Sequence, residues 1–470
     1  MNSHSPAPVA VDSPTAALAA WASGLRYEDI PADVVARVQI TLLDTLGVAI
    51  AALEAPDAAP LVETALEFAG EGPCLVPGAG RTAAPAPAAL VWGTLTDIFE
   101  LQDGWRFGGI HASLVFGAAL PLAQALGKSG RDLITAVVAG YEAAHRVAWS
   151  VHPEHMGRGH MPNGTAGTVG AAAAAAHLLG LDAQTFAGAL GTAGFLLPYA
   201  TAETLWAGHS AKPLHTGWAA KTGIEAALMA RKGFWGCPLE GTPGTGCGFL
   251  QLAADTAMPE RLTEGLGTLY TLRDTYFKFY PICRQAQSAA EAAITLARAE
   301  AIAPDQIAGV TVSTWDLSAK MLTRYIGVES GRIAAQFSLP YIIAASLTDR
   351  EMGVAQLSPE RLADPALHGL AAKVVVVADP EKTAAYPDHT LAEVTVTLTD
   401  RSTRTHTVDA PRGDPRVPVT DAMLIEKFFV LAQGPMDSAG AQALVAAVQE
   451  LREAPSLDAL MAPVAALHVK

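Results

Sequence analysis

Four cationic side chains stand out in this acidic chain. His111 follows Asp103-Gly104-Trp105 and opens His111-Ala112-Ser113, and His160 ends Gly157-Arg158-Gly159-His160. Lys212 sits in Ala211-Lys212-Pro213-Leu214-His215, and Lys278 in Tyr276-Phe277-Lys278-Phe279-Tyr280-Pro281. Each is framed by Gly, Pro or aromatic residues, the punctuation of turns and loop edges, where side chains are placed for chemistry more often than for packing. The formal charge of the whole chain is −15. Such a field repels nucleic acid and anionic membranes, so neither is expected as a partner. It also repels an anionic substrate, so a site for one must gather cations locally, and these four positions can supply them.

The elements that must hold them are mostly helices. Val34-Val35, Val38, Ile40, Leu42-Leu43 and Leu46 have helical spacing, begin after Pro31 and Asp33, and stop near Gly47. Leu133 to Val147 is a second helix, entered through Ser129-Gly130-Arg131-Asp132. Ala171 to Leu179 ends at Gly180, Asp182 caps the helix through Leu190, and Ala219 to Arg231 is closed by Gly233. After Lys278 the pattern changes. Val310-x-Val312-x-Thr314 and Val394-x-Val396-x-Leu398 alternate, and Val374 to Val377 is a β-branched run, with helices at Ser288 to Ala301 and Ser338 to Leu347. From Asp421 the pattern is helical again. The expected architecture is a mainly α-helical large domain with an inserted smaller α/β lid domain. A disordered tail covers 1–14, the helical domain 15–274 and 413–470, and the lid 275–412. A cleft between the two is the natural ligand site.

At 470 residues, half of them hydrophobic and only 6% aromatic, the chain is long enough for two or three domains and rich in Ala and Gly. Tight helix packing follows, with surface left to bury against a second copy. The polar start lacks the order of a signal peptide. The uncharged stretches from Gly164 to Leu181 and from Ala183 to Ala202 are built from Gly, Ala and Thr, which suits buried helices better than lipid. Cys74, Cys237, Cys247 and Cys283 show no metal spacing. A reduced, cytoplasmic protein is the simple expectation.

Six stretches in order resemble one family. They are Leu43-Asp44-Thr45-Leu46-Gly47; Ser129 to Leu133 with Gly140-Tyr141-Glu142; Leu178-Leu179-Gly180-Leu181; Lys212-Pro213-Leu214-His215; Lys278-x-Tyr280-Pro281; and Gln336-Phe337-Ser338-Leu339-Pro340-Tyr341. Together they are similar to the MmgE/PrpD family, which includes 2-methylcitrate dehydratase, cis-aconitate decarboxylase and iminodisuccinate epimerase. The resemblance implies a helical domain with an α/β lid, usually a homodimer. It also implies a site without metal or organic cofactor that stabilises a carbanion beside a carboxylate of a small di- or tricarboxylate. By position it implies that His111 and His160 are site histidines, Lys212 and Lys278 site lysines, and Tyr341 the lid tyrosine. Asp103 lies in the acidic segment before the first histidine. The chain departs from the family pattern at several places. Glu100-Leu101-Gln102-Asp103-Gly104 replaces a run of the Asp-Phe-Asp-Asp-Thr kind, Cys283-Arg284 replaces a histidine after the second lysine, and a later histidine is replaced near Gln287.

Charge accumulates on an enolate as its proton leaves, so such a site must neutralise it and hold a base close by. Lys212 is expected as carboxylate clamp and enolate stabiliser, His111 as base or acid, with His160 and Tyr341 as further catalytic groups. Lys278, Arg284 and Cys283 are expected at the lid edge against a second carboxylate, Asp103 orienting His111, and Glu100 behind the binding groups. A lyase acting by dehydration or decarboxylation is the leading expectation. An epimerase that removes and returns one α-proton is the alternative, and a non-catalytic carboxylate-binding dimer a minor one. Other patterns carry less. Gly241 to Gly248 lacks the ending of a phosphate loop, Gly164-x2-Gly167-x2-Gly170 has no preceding strand, and Pro153 interrupts the His152–His155 pair.

Overall fold

The computed structural model describes residues 12–324 and 326–469. The expected tail over 1–14 falls largely outside them. Its last part is structured: Ser13 caps the helix Pro14–Gly24, accepting from the Ala16 amide at 3.1 Å.

Helices dominate, and local capping accounts for where several begin. Ser129 and Asp132 form a reciprocal cap at the start of Gly130–Val151, with amide-to-side-chain distances of 3.2 and 2.9 Å. Asp182 caps Ala183–Leu196 by accepting from the Thr185 amide at 2.8 Å. One expected stop is absent. The helix through Gly47 continues, spanning Ala32–Ala52. Gly47 serves close approach instead of termination, since a Cβ there would lie 3.1 Å from the Phe428 ring. That contact seats Asp421–Ala432 on Ala32–Ala52, joining the two ends of the chain.

A second glycine contact positions the chemistry. Pro85–Leu95, Ala112–Ala125 and Leu214–Arg231 meet at Gly93, Gly117 and Gly217. A Cβ on Gly93 would stand 2.9 Å from the Gly217 Cα, and one on Gly117 2.9 Å from the Gly93 Cα. Without side chains the three backbones come close enough to bring their ends together. The Thr216 hydroxyl, donating to the Gly93 carbonyl at 2.9 Å, ties two of them. Asp97 follows the first helix, His111 precedes the second and Lys212 precedes the third.

The buried apolar residues form two clusters. One runs from Leu18 to Leu272 and resumes from Phe428 to Leu467. The other gathers Leu205 with residues from Ile282 to Val408. The second surrounds a four-stranded sheet, ordered Val374–Ala378, Ile307–Thr314, Ala392–Leu398, Thr403–Val408. The first pair is parallel and the others antiparallel, with Val310 opposite Val374 and Val312 opposite Val394. Gln287–Glu300 and Leu339–Asp349 pack on it. One described helix, Ala32–Ala52, is long and apolar enough to cross a bilayer, but most of it is buried inside the protein.

Candidate functional site

A cavity of about 220 Å³ lies among segments 100–111, 205–212, 276–285, 386–390 and 414–416. It falls below the roughly 300–1,000 Å³ of drug-sized pockets, so the ligand it fits is small. Part of its wall is a buried charge cluster. Lys212 Nζ lies 3.0 Å from Asp97 Oδ2 and also contacts Glu100 Oε1, and Lys278 Nζ donates to Glu100 Oε2 at 2.6 Å. One carboxylate therefore bridges both ammonium groups. Glu100 holds a left-handed backbone (φ 54°), which is uncommon for a residue with a side chain.

His111 stands beside this cluster. Its Nε2 is 3.6 Å from Asp97 Oδ1 and 3.3 Å from the Gln102 amide nitrogen, which also donates to Asp97. Nε2 thus meets both an amide nitrogen and a carboxylate, while Nδ1 is a buried atom with no partner among the described residues. Burial, then the Lys278 charge and His215, hold His111 well below the usual imidazole range. Burial also pulls Lys212 down to about 8, against the pull of Asp97. Asp97 is pushed up by burial and held back by Lys212. At neutral pH the site thus holds an uncharged imidazole beside an ammonium group that gives up its proton readily.

Backbone pairing places the third element. Gly104 and Tyr276 exchange hydrogen bonds at 3.0 and 2.8 Å, and the Phe277 amide donates to Gly413 at 2.9 Å. In this extended run side chains alternate, so Tyr276 and Lys278 line the cavity and Phe277 faces inward under Arg37. Arg284 also lines the cavity. Its guanidinium pairs with Asp414 at 2.5 Å and sits 4.4 Å from the centre of the Tyr276 ring, while Asp414 holds Arg416 at 3.1 Å. The cations expected here are present, but Lys212, Lys278 and Arg284 each face a carboxylate of the protein.

His111, Lys212, Lys278, Cys283, Arg284 and Glu100 line one cavity. Glu100, expected behind the binding groups, itself lines the cavity and contacts both lysines. Three expected residues stand elsewhere. Tyr341 is buried within the second cluster, where its hydroxyl donates to the Gln356 carbonyl at 2.6 Å. His160 turns to Tyr199, with Nε2 and the phenol oxygen 2.8 Å apart, and its successors Met161 and Asn163 reach the cavity in its place. Asp103 spends both oxygens internally, accepting from the Ala112 amide at 2.7 Å and the Tyr141 hydroxyl at 2.8 Å. It holds the turn that carries His111 without touching the imidazole, and burial pushes it up to about 7. Asp97, Gln102 and Tyr276 were not given roles from the sequence. An isolated aspartate in the apolar run from Leu90 to Phe99 is a usable signal, because a carboxylate is almost never buried unpaired.

Comparison with known proteins places the chain in a family. The MmgE/PrpD N-terminal domain matches residues 16–261, and the MmgE/PrpD C-terminal domain residues 280–453. The cis-aconitate decarboxylase-like protein oryM of Aspergillus oryzae is 28% identical over 95% of this chain and 96% of its own. A cis-aconitate decarboxylase of Aspergillus terreus is 26% identical over 96% of both chains. The Mus musculus cis-aconitate decarboxylase is 27% identical over 78% of this chain and 76% of its own. The two matched domains span nearly the whole chain, and the chain belongs to the MmgE/PrpD family.

Proposed function

We propose that this protein is a lyase acting on a small di- or tricarboxylate, by dehydration or decarboxylation through a carbanion beside a carboxylate. The observation that carries the reading is the pair of buried ammonium groups bridged by Glu100 next to neutral His111. A site that already holds one carboxylate between two lysines offers the same contacts to a substrate carboxylate. The ammonium groups then neutralise charge as it develops on the adjoining carbon, in a cavity where water screens little. Lys212, drawn down to about 8, is better matched to proton transfer near neutrality than strongly depressed His111. Lys212 is therefore assigned proton donation to the carbanion, and His111 the hydrogen bonding and proton relay beside it. The curated relatives, all described as cis-aconitate decarboxylases or like them, support this class of reaction.

One observation favours the epimerase as a second reading. The Cys283 thiol lines the same cavity, and burial keeps it protonated, so it is a further proton carrier of the kind an epimerase needs. The sheet-bearing segment is assigned the part of a lid. A second copy of the chain is assigned to the apolar surface left by Phe195 (81% exposed), Tyr199, Trp218, Met229 and Phe234 (66% exposed). Four free cysteines fit a reducing compartment.

Proton NMR of the enzyme with citrate, 2-methylcitrate, cis-aconitate and amino- or imino-linked dicarboxylates tests the reading. Loss of water or carbon dioxide from one of them supports the lyase. Solvent deuterium entering without net elimination favours the epimerase, and an unchanged panel contradicts both.

A further inference from the structure

We propose that the Tyr276 phenol is a substrate-contacting group, donating a hydrogen bond to a carboxylate or carbonyl oxygen of the ligand and so helping to set which acid the site accepts. This rests on the carboxylate reading above and adds an uncharged donor beside the ammonium groups.

Buried tyrosine hydroxyls are normally paired inside the protein. Four tyrosines are buried among the described residues: Tyr141, Tyr270, Tyr276 and Tyr341. Tyr141 donates to Asp103 at 2.8 Å, Tyr270 to the Asp29 carbonyl at 3.2 Å and Tyr341 to the Gln356 carbonyl at 2.6 Å. Tyr276 makes no such bond to a described residue, and it lines the cavity. Its backbone is clamped to Gly104 on both sides of the pairing, and the Arg284 guanidinium covers its ring at 4.4 Å. Gly104 makes the room. A Cβ there would fall 2.4 Å from the Tyr276 hydroxyl and 2.6 Å from the adjoining ring carbon. The phenol is thus held rigidly, over a residue that can bear no side chain, with its one polar atom left for a ligand. Burial pushes it up to about 12, so it keeps its proton and can donate throughout the physiological range.

The test uses the full-length protein labelled with 13Cζ-tyrosine, with Tyr276→Phe identifying the resonance. Succinate, citrate and cis-aconitate are the probes, and calorimetry measures their affinities in parallel. The expected result is a Tyr276 resonance that moves with the acid that binds. Tyr276→Phe should bind that acid about 10- to 100-fold more weakly, the range for one donor to a charged acceptor. The melting temperature should shift by no more than about 2 °C, because no internal hydrogen bond is lost. An acid that binds without moving the resonance, and equally well to Tyr276→Phe, overturns the donor role and leaves the carboxylate reading intact. Absence of binding by every acid to the wild type overturns both. A Tyr276→Phe protein that loses several degrees of stability while the resonance stays still assigns the phenol to packing.

Discussion

Lys212→Met removes a buried ammonium group while keeping an unbranched side chain, and its cost should depend on pH in a calculable way. The substitution strands Asp97, which is 0% exposed and has Lys212 at 3.0 Å in the wild type. Burial already pushes Asp97 above its ordinary 3.8, and the lysine is the main force holding it back. Without that ammonium group the carboxyl takes a proton in the folded state, while in the unfolded chain it stays ionised. A raised folded-state pKa contributes stability that is fully present below 3.8 and lost as pH rises towards the folded value. Each pH unit in that window removes about 1.4 kcal/mol. The loss accumulates up to the folded-state value, towards the roughly 3–5 kcal/mol typical of breaking a buried ion pair. The ion pair limits this rise in the wild type, so the difference between the two proteins should widen with pH. Urea denaturation at pH 5, 6 and 7 reads it directly. Adding Asp97→Asn to Lys212→Met should flatten the dependence. A deficit that is the same at all three pH values, or that Asp97→Asn fails to flatten, refutes the reasoning.

Other expectations follow from the same geometry. If the Lys212 ammonium group is the proton donor, kcat/KM falls as pH rises through about 8, whereas an unperturbed lysine would hold its activity to near 10.5. A pH–rate profile distinguishes the two. Tyr341→Phe should leave turnover unchanged and lower stability by about 1 kcal/mol, the worth of one buried hydrogen bond, read by denaturation and a rate assay on one preparation. Gly93→Ala forces a Cβ to within 2.9 Å of the Gly217 Cα. It should cost about 1–3 kcal/mol and reduce activity, because the helix ends carrying Asp97 and Lys212 are pushed apart.

The helices were largely legible because their signals are local. Ser129 with Asp132, and Asp182, are caps written within four residues, and the alternation at Val310 and Val394 gives two strands. Thr403–Val408 was missed because its alternating residues are Thr, Arg and His, with no apolar period to see. Gly47 was taken as a stop because glycine means termination locally, while its partner Phe428 is remote in sequence. The site divides in the same way. His111, Lys212 and Lys278 could be picked out by type and setting, but the pairing of the two lysines with Asp97 and Glu100 joins segments more than a hundred residues apart. The absence of a threonine at Gly104 was visible, but the phenol that fills its place was not. Tyr341 shows the converse, an aromatic with a suitable hydroxyl that a backbone carbonyl already occupies.

The central claim is that this cavity moves a proton at a carbon beside a carboxylate, with Lys212 as the carrier. Proton NMR in heavy water tests it most directly, comparing the wild type, Tyr341→Phe and the folded Lys212→Met/Asp97→Asn double variant on one carboxylate substrate. The account predicts deuterium at the carbon next to the carboxylate, in substrate or product, with wild type and Tyr341→Phe, and none with the double variant. Undiminished deuterium in the double variant would contradict it.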